Sequence, residues 1–208
     1  MDRNVLSLGG FQVDVVLDCT PTVRYDHTGD ATFIDNFIRY CFGLTNDHFA
    51  QDSGPSNIER HIGTTLITGR DVKGEPADVE AYEDLTAFHQ HVLAYGEPPF
   101  RLEDWRNGDQ KPDLSLQKAS QYENAFRQAV CNRRFFVTES GRVGMGPQTM
   151  ARGDEIIVFY GGRRPLVLRP KGEQYEMIGP CYVHGIMFGE AVEKAKAEGR
   201  EEVWFDTH

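Results

Sequence analysis

The apolar and polar positions of the chain change period twice. From Gly9 to Asp18 the run GGFQVDVVLD alternates, which places Phe11, Val13, Val15 and Leu17 on one face of a half-buried strand after a Gly9-Gly10 turn. The period then becomes helical, with Ile34, Phe37, Ile38 and Cys41 forming one stripe of ATFIDNFIRYCF. A second helix is predicted in SNIERHIGTTLITG. Ser56 and Glu59 stand there at capping-box spacing, Ile58, Ile62, Thr65 and Leu66 face inward, and Gly69 marks the stop. Residues 70–80 read as a loop. A third helix, about Val79 to Tyr95, turns Tyr82, Leu85, Phe88, Val92 and Leu93 inward and ends at Gly96 and Pro98-Pro99. RLEDWRNGDQKPD, charged and rich in turn formers, reads as a mobile or inserted loop. A fourth helix over Leu114–Val130 keeps Leu116, Ala119, Tyr122, Phe126 and Val130 in register.

After Val130 short alternating runs take over. RRFFVTESGRVGMGP is a strand, a Glu139-Ser140-Gly141 turn and a second strand. RGDEIIVFYGGRRPLVLRP is a hairpin joining Ile156–Tyr160 to Pro165–Arg169 through Gly161-Gly162. YEMIGPCYVHGI reads as one further strand, EAVEKAKAEG as a closing helix ended by Gly199, and EVWFD as a final edge strand. The fold class is therefore α+β: a small antiparallel β-barrel in the C-terminal third with a helical segment packed against it. A single domain over 1–208 is expected, with an N-terminal strand in 1–20, a mainly helical part in 31–130, and barrel strands with the closing helix in 131–208.

Composition narrows the function classes. The 208 residues carry a formal net charge of −10, a surface that repels phosphate, and no basic stripe interrupts it, so nucleic acid is not an expected partner. The densest basic runs are the pairs Arg133-Arg134 and Arg163-Arg164. Ile156–Tyr160, the longest apolar run, is far too short to cross a bilayer, and the amino terminus does not read as a signal peptide; no membrane partner is expected. Cys19, Cys41, Cys131 and Cys181 are scattered without CxxC spacing, which points to reduced thiols and the cytosol.

The last third also resembles a known family. Thr138 and Gly141, Gly144 to Pro147, Gly153-Asp154, Gly161-Gly162, Pro165 with Leu168-Arg169, and Tyr182 to Glu190 follow the motif order of the C-terminal barrel of fungal heterokaryon-incompatibility proteins. The likeness is strongest over Arg133–Val192, and LSLGGFQVDVV and TLITGRD extend it upstream. The larger members begin with a signalling domain that drives incompatibility and cell death; no counterpart is read in this chain, and a freestanding barrel is expected. Small proteins of this type are similar to ones encoded among fungal secondary-metabolite genes. That likeness implies cyclisation of an apolar polyketide or terpenoid, including Diels–Alder-type chemistry. The alternative it implies is a non-catalytic interaction module of incompatibility signalling.

The residues themselves offer a short list. GRVGMGP and GGRRP lead into strands rather than into a helix N-terminus, so hairpin geometry is expected, not phosphate binding. His89 and His91 point to different faces of one helix, and neither His-Glu-x-x-His nor paired cysteines occur; no metal and no cofactor are expected. Ser140 lies in a turn between strands, unlike a hydrolase elbow. Alternation along PCYVHGI puts Tyr182, His184 and Ile186 on one side. His184, Tyr182, Arg169 and Glu190 are the candidate catalytic groups. Each has a bland reading beside it: a satisfied buried imidazole for His184, an ion pair with Asp154 or Glu190 for Arg169, and helix capping for Glu190. Phe136, Phe159, Tyr160, Tyr175, Met187 and Phe188 are candidates for binding a small apolar organic substrate, and equally suit the filling of a small barrel. A pocket of this kind needs no nucleophile: holding a reactive substrate in shape, with one aimed hydrogen bond, is enough for a cyclisation.

Overall fold

A computed structural model describes residues 5–49, 55–71, 73–77, 81–98 and 114–207. Among them are five α-helices and eight β-strands, an α+β architecture as the periodicity predicts. The chain divides into two compact units, residues 21–133 and residues 1–20 with 134–208.

The helical unit opens with a 3-10 turn, Tyr25–Gly29, and α1, Ala31–Phe49. Asp30 starts α1 by accepting the amides of Thr32 and Phe33 at 2.8 and 3.2 Å, two of the donors that a helix leaves unpaired at its first turn. α2 is Pro55–Leu66; it begins one residue before Ser56, with proline at the position where a missing N–H costs nothing. α3 is Ala81–Tyr95 and α4 is Leu114–Val130. Ile34, Phe37, Ile38, Cys41, Ile58, Ile62, Leu66, Leu85, Phe88, Val92, Tyr122, Phe126 and Val130 are all buried, so the helical stripes hold. Leu93 does not follow its prediction. It is 53% exposed, because the buried stripe of α3 steps through Ala81, Leu85, Phe88 and Val92, and residue 93 lies about a quarter-turn from it. Phe88 meets Phe126 and Tyr122 at centroid distances of 5.4 and 5.7 Å, and the Tyr122 hydroxyl donates to the Gly63 carbonyl at 2.8 Å. The predicted loop at RLEDWRNGDQKPD lies outside the described residues.

The strand unit contains β1 (Leu6–Cys19), β2 (Arg133–Thr138), β3 (Val143–Pro147), β4 (Glu155–Phe159), β5 (Leu166–Lys171), β6 (Gln174–Pro180), β7 (Tyr182–Val183), α5 (Glu190–Ala197) and β8 (Val203–Thr207). The strand order is β4-β5-β6-β8-β1-β2-β3-β7, and a further β1–β4 pairing closes β4, β5, β6, β8 and β1 into a ring. β1 takes part in both halves because it is long and bulged. Its register slips against β4 between Gln12 and Asp14, and against β2 between Val16 and Asp18. Each extra residue carries the following side chains to the opposite face. Phe11, Asp14 and Val16 are thus the buried side chains of β1, instead of the unbroken Phe11-Val13-Val15-Leu17 face that simple alternation predicts.

Two other expectations are corrected. YEMIGPCYVHGI is two strands, not one: β6 pairs with β5, whereas β7 pairs with β3. The break falls at Cys181, whose amide turns to the Pro165 carbonyl at 3.0 Å. EVWFD does not lie at an edge. β8 sits between β1, along five residue pairs, and β6, at Tyr175–Thr207.

One apolar cluster draws on every strand of the ring: Leu8 from β1, Ile157 and Phe159 from β4, Leu166 and Leu168 from β5, Tyr175 from β6 and Phe205 from β8. A cluster fed by all members of a closed ring is its interior. It is filled, since Ile157 and Leu168 are 0% exposed and Phe205 1%. A second core holds Val16, Phe136, Met150, Ile156, Val167, Cys181, Val183, Ile186 and Ala191.

Candidate functional site

β7 delivers the two side chains on which the sequence argument centred. Gly144 and Met145 of β3 pair with Val183 and Tyr182, and the His184 amide donates to the Val143 carbonyl at 3.0 Å. Gly144 is required there: a Cβ would stand 2.4 Å from the Tyr182 carbonyl oxygen and 2.3 Å from the Phe136 ring. Alternation then sends Tyr182 and His184 the same way, and the Tyr182 hydroxyl lies 3.3 Å from His184 Nδ1. Ile186 leaves their side. Gly185 turns the chain at φ +81°, and Ile186 rejoins Cys181 and Val183 in the core.

The environment keeps the Tyr182 phenol protonated. Burial, with the Glu190 charge adding to it, pushes its pKa up to about 12. A phenol is protonated at neutral pH in any case, and this shift extends its role as a hydrogen-bond donor into alkaline solution. Glu190 opens α5 and accepts the Phe188 amide at 2.7 Å; that amide belongs to the chain entering the helix, so the bond holds the approach to α5 rather than capping one of its own unpaired donors as expected. Tyr182, His184 and Glu190 thus share one corner. Arg169 has other engagements: its Nε and Nη2 hold the two oxygens of buried Asp154 at 2.8 and 3.0 Å, and Nη2 also donates to the Thr149 carbonyl at 2.8 Å. Asp154 in turn accepts the Ala151 amide at 2.8 Å, so this pair ties the 149–154 turn to β5.

The six candidate substrate-binding side chains do not line one chamber. Phe136 is 0% exposed and packs in the second core. Phe159 and Tyr175 belong to the ring interior, where both lie edge-on to Phe205, at 5.7 and 5.3 Å. Met187 turns its sulfur back to the Val183 amide at 3.4 Å. Tyr160, resting on Phe11 at 5.4 Å, and Phe188 are 47% and 77% exposed. Between the β4–β5 link and the corner before α5 lies a cleft of about 150 Å³, lined by residues 158–165, Ile186, Met187, Gly189 and Val192.

Several groups escaped the sequence reading. Glu155 shares the inward face of β4 with Ile157 and Phe159, which the alternation of EIIVF signals. One of its carboxylate oxygens is buried without a partner among the described residues; burial raises its pKa, partly offset by the Tyr175 hydroxyl. In the helical unit a cleft of about 410 Å³ runs between α3 and α4, past His91 and Tyr95, whose rings lie 4.5 Å apart and tilted by 33°. His89 faces the other way and meets Asp35 at 2.6 Å. Burial alone would raise the Asp35 carboxyl, but the hydrogen bonds from His89 and Arg39 outweigh it and hold the pKa below its ordinary value. Among the described residues no helix is long and apolar enough to cross a membrane.

Comparison with known proteins gives three findings. The family model of the Het-6 beta-barrel domain matches residues 79–204. Heterokaryon incompatibility protein 6, OR allele, of Neurospora crassa is 28% identical over 229 aligned positions, covering 93% of this chain and 33% of that protein. The chain therefore spans about a third of the length of the curated relative it matches. No solved structure matches. The family match begins ahead of α3 and leaves out β1, although β1 supplies one wall of the ring.

Proposed function

Because the chain belongs to the Het-6 beta-barrel domain family, we propose that it is a non-catalytic protein-interaction module of the heterokaryon-incompatibility type. The observation that carries this reading is the filled ring. Ile157, Leu168 and Phe205 close it with their own side chains, so the centre of the barrel offers a small organic substrate no room. Ligand pockets measure about 300–1,000 Å³; the cleft beside the ring has about 150 Å³, and the α3–α4 cleft of about 410 Å³ has none of Tyr182, His184, Arg169 or Glu190 in its walls. Large apolar groups stand instead at the surface, among them Tyr160, Phe188 and Trp204. Action in the cytosol suits the four free cysteines, which a reducing compartment preserves.

The second reading, a cofactor-free cyclase for a polyketide or terpenoid, draws on the Tyr182–His184 pair, whose protonated phenol could polarise a conjugated carbonyl. It requires a chamber beside that pair, and the 150 Å³ cleft does not include either residue in its walls.

One experiment separates the two. The chain is tagged and purified from an extract of its source organism under native conditions, then incubated with the small-molecule fraction of the same extract. The interaction reading expects a stoichiometric protein partner and an unaltered metabolite profile. A chain recovered alone that consumes a polyketide or terpenoid would overturn it.

A further inference from the structure

We propose that the cleft between the β4–β5 link and the corner before α5 docks an extended acidic peptide segment of a partner protein, one carrying an apolar anchor beside a carboxylate. This inference rests on the interaction reading and names the partner's chemistry.

The size comes first. A volume of about 150 Å³ suits one side chain rather than a metabolite. Val158, Pro165, Ile186, Met187 and Val192 make its walls apolar, as an anchor residue requires. Tyr160 and Phe188 stand exposed at its margins, Tyr160 within the lining stretch and Phe188 between the lining residues Met187 and Gly189. Aromatic side chains, Met and Arg are the types enriched where interfaces concentrate their affinity.

Charge then selects the partner. The chain carries a formal −10, yet one lip of this apolar cleft is formed by Arg163 and Arg164. Both are exposed, and neither has an ion-pair partner among the described residues. Arg39, Arg127, Arg142 and Arg169 are each spoken for by a carboxylate of the chain itself. Glu190, next in sequence to the lining residue Gly189, is occupied with the Phe188 amide. Two unneutralised guanidinium forks beside an apolar slot match a carboxylate next to an apolar residue. The strong negative charge elsewhere on the chain disfavours nucleic acid and anionic lipid surfaces, whose charge extends well beyond the two arginines, and leaves a short acidic segment at the cleft as the fitting partner.

The corner is also set in advance. Glu190 holds the Phe188 amide, Gly189 adopts φ +100° to start α5, and Met187 is fixed to β7 through the Val183 amide. Little ordering is left to be done on binding.

The test is selection of random displayed peptides on the full chain. Recovered peptides are then labelled and titrated by fluorescence anisotropy against wild type, Arg163→Glu/Arg164→Glu and Phe188→Asp. All three sites are exposed, so an unchanged thermal midpoint confirms that the variants fold. The expected peptides pair an aromatic or aliphatic residue with Asp or Glu, lose affinity about tenfold or more on the double reversal, and weaken as salt rises. Exchanging their acids for Lys restores binding to the double variant. Failure to select peptides, selection without acidic bias, or affinities that neither variant changes would overturn the proposal. A partner recovered from the extract and held equally well by the Arg163→Glu/Arg164→Glu chain would overturn the cleft assignment while leaving the interaction reading in place.

Discussion

Phe205 and Trp204 are neighbours in β8, yet their fates under mutation should differ by several kcal/mol. Phe205 is 1% exposed and stands inside the ring, edge-on to Phe159 at 5.7 Å and to Tyr175 at 5.3 Å. An aromatic side chain of this kind removes about 150–250 Å² from water, which at about 25 cal/mol per Å² is about 4–6 kcal/mol, an upper figure because unfolded chains are partly collapsed. Alanine keeps part of that burial, while the vacated space adds a cavity term. Phe→Ala replacements in cores accordingly cost about 3–5 kcal/mol, and about 4 kcal/mol is expected here. With a denaturant dependence of about 1–3 kcal/mol per molar urea, the midpoint should fall by about 2 M. Trp204 is 66% exposed on the outer face, and Trp204→Ala should stay within about 0.5 kcal/mol of wild type. The assay is urea unfolding followed by hydrogen exchange of the β4 and β5 amides, which reads the strand unit separately from the helical one. Phe205→Ala should also gain affinity for benzene, as dry engineered cavities do. Equal losses for the two variants, or a Phe205→Ala loss below about 1 kcal/mol, would refute the assignment of faces. Wild type binding benzene within the ring would refute its being filled, and with it the ground for preferring an interaction module.

Glu155→Gln should raise the thermal midpoint near neutral pH. A carboxyl whose folded pKa is raised favours folding below its unfolded value and loses that contribution as pH rises through the folded value, so the gain should shrink on acidification to about pH 4. A gain independent of pH would sink that explanation. Arg169→Ala should cost about 2 kcal/mol or more in thermal or urea melts, because it strips Asp154, 1% exposed, of its cation; an unchanged midpoint would show the pair to be idle. Any loss of function in that variant would then report folding before chemistry. Gly144→Ala should destabilise by about 1–3 kcal/mol, since its Cβ meets the Tyr182 carbonyl and the Phe136 ring, and a neutral result would mean that β7 can shift on β3.

What the sequence determined by itself was local. Helical stripes, the β2–β3 and β4–β5 strands, and the shared side of Tyr182 and His184 follow from side-chain period and turn chemistry acting over a few residues, and the structure carries them. The family motifs were legible for the same reason: their glycines and Arg169-Asp154 serve nearby backbone. Everything that depended on which strand lies beside which was decided only by the tertiary structure. The β1 bulges invert a face that alternation cannot know, β6 and β7 part because their partners differ, and β8 becomes an inner strand by pairing with the distant β1. Whether Phe159 and Tyr175 line a chamber or fill one is of the same kind, because it depends on Phe205, far along the chain from both, reaching the same space. Burial is a property of where the chain closes on itself, and a ring of strands closes through contacts whose separation along the chain leaves no periodic trace.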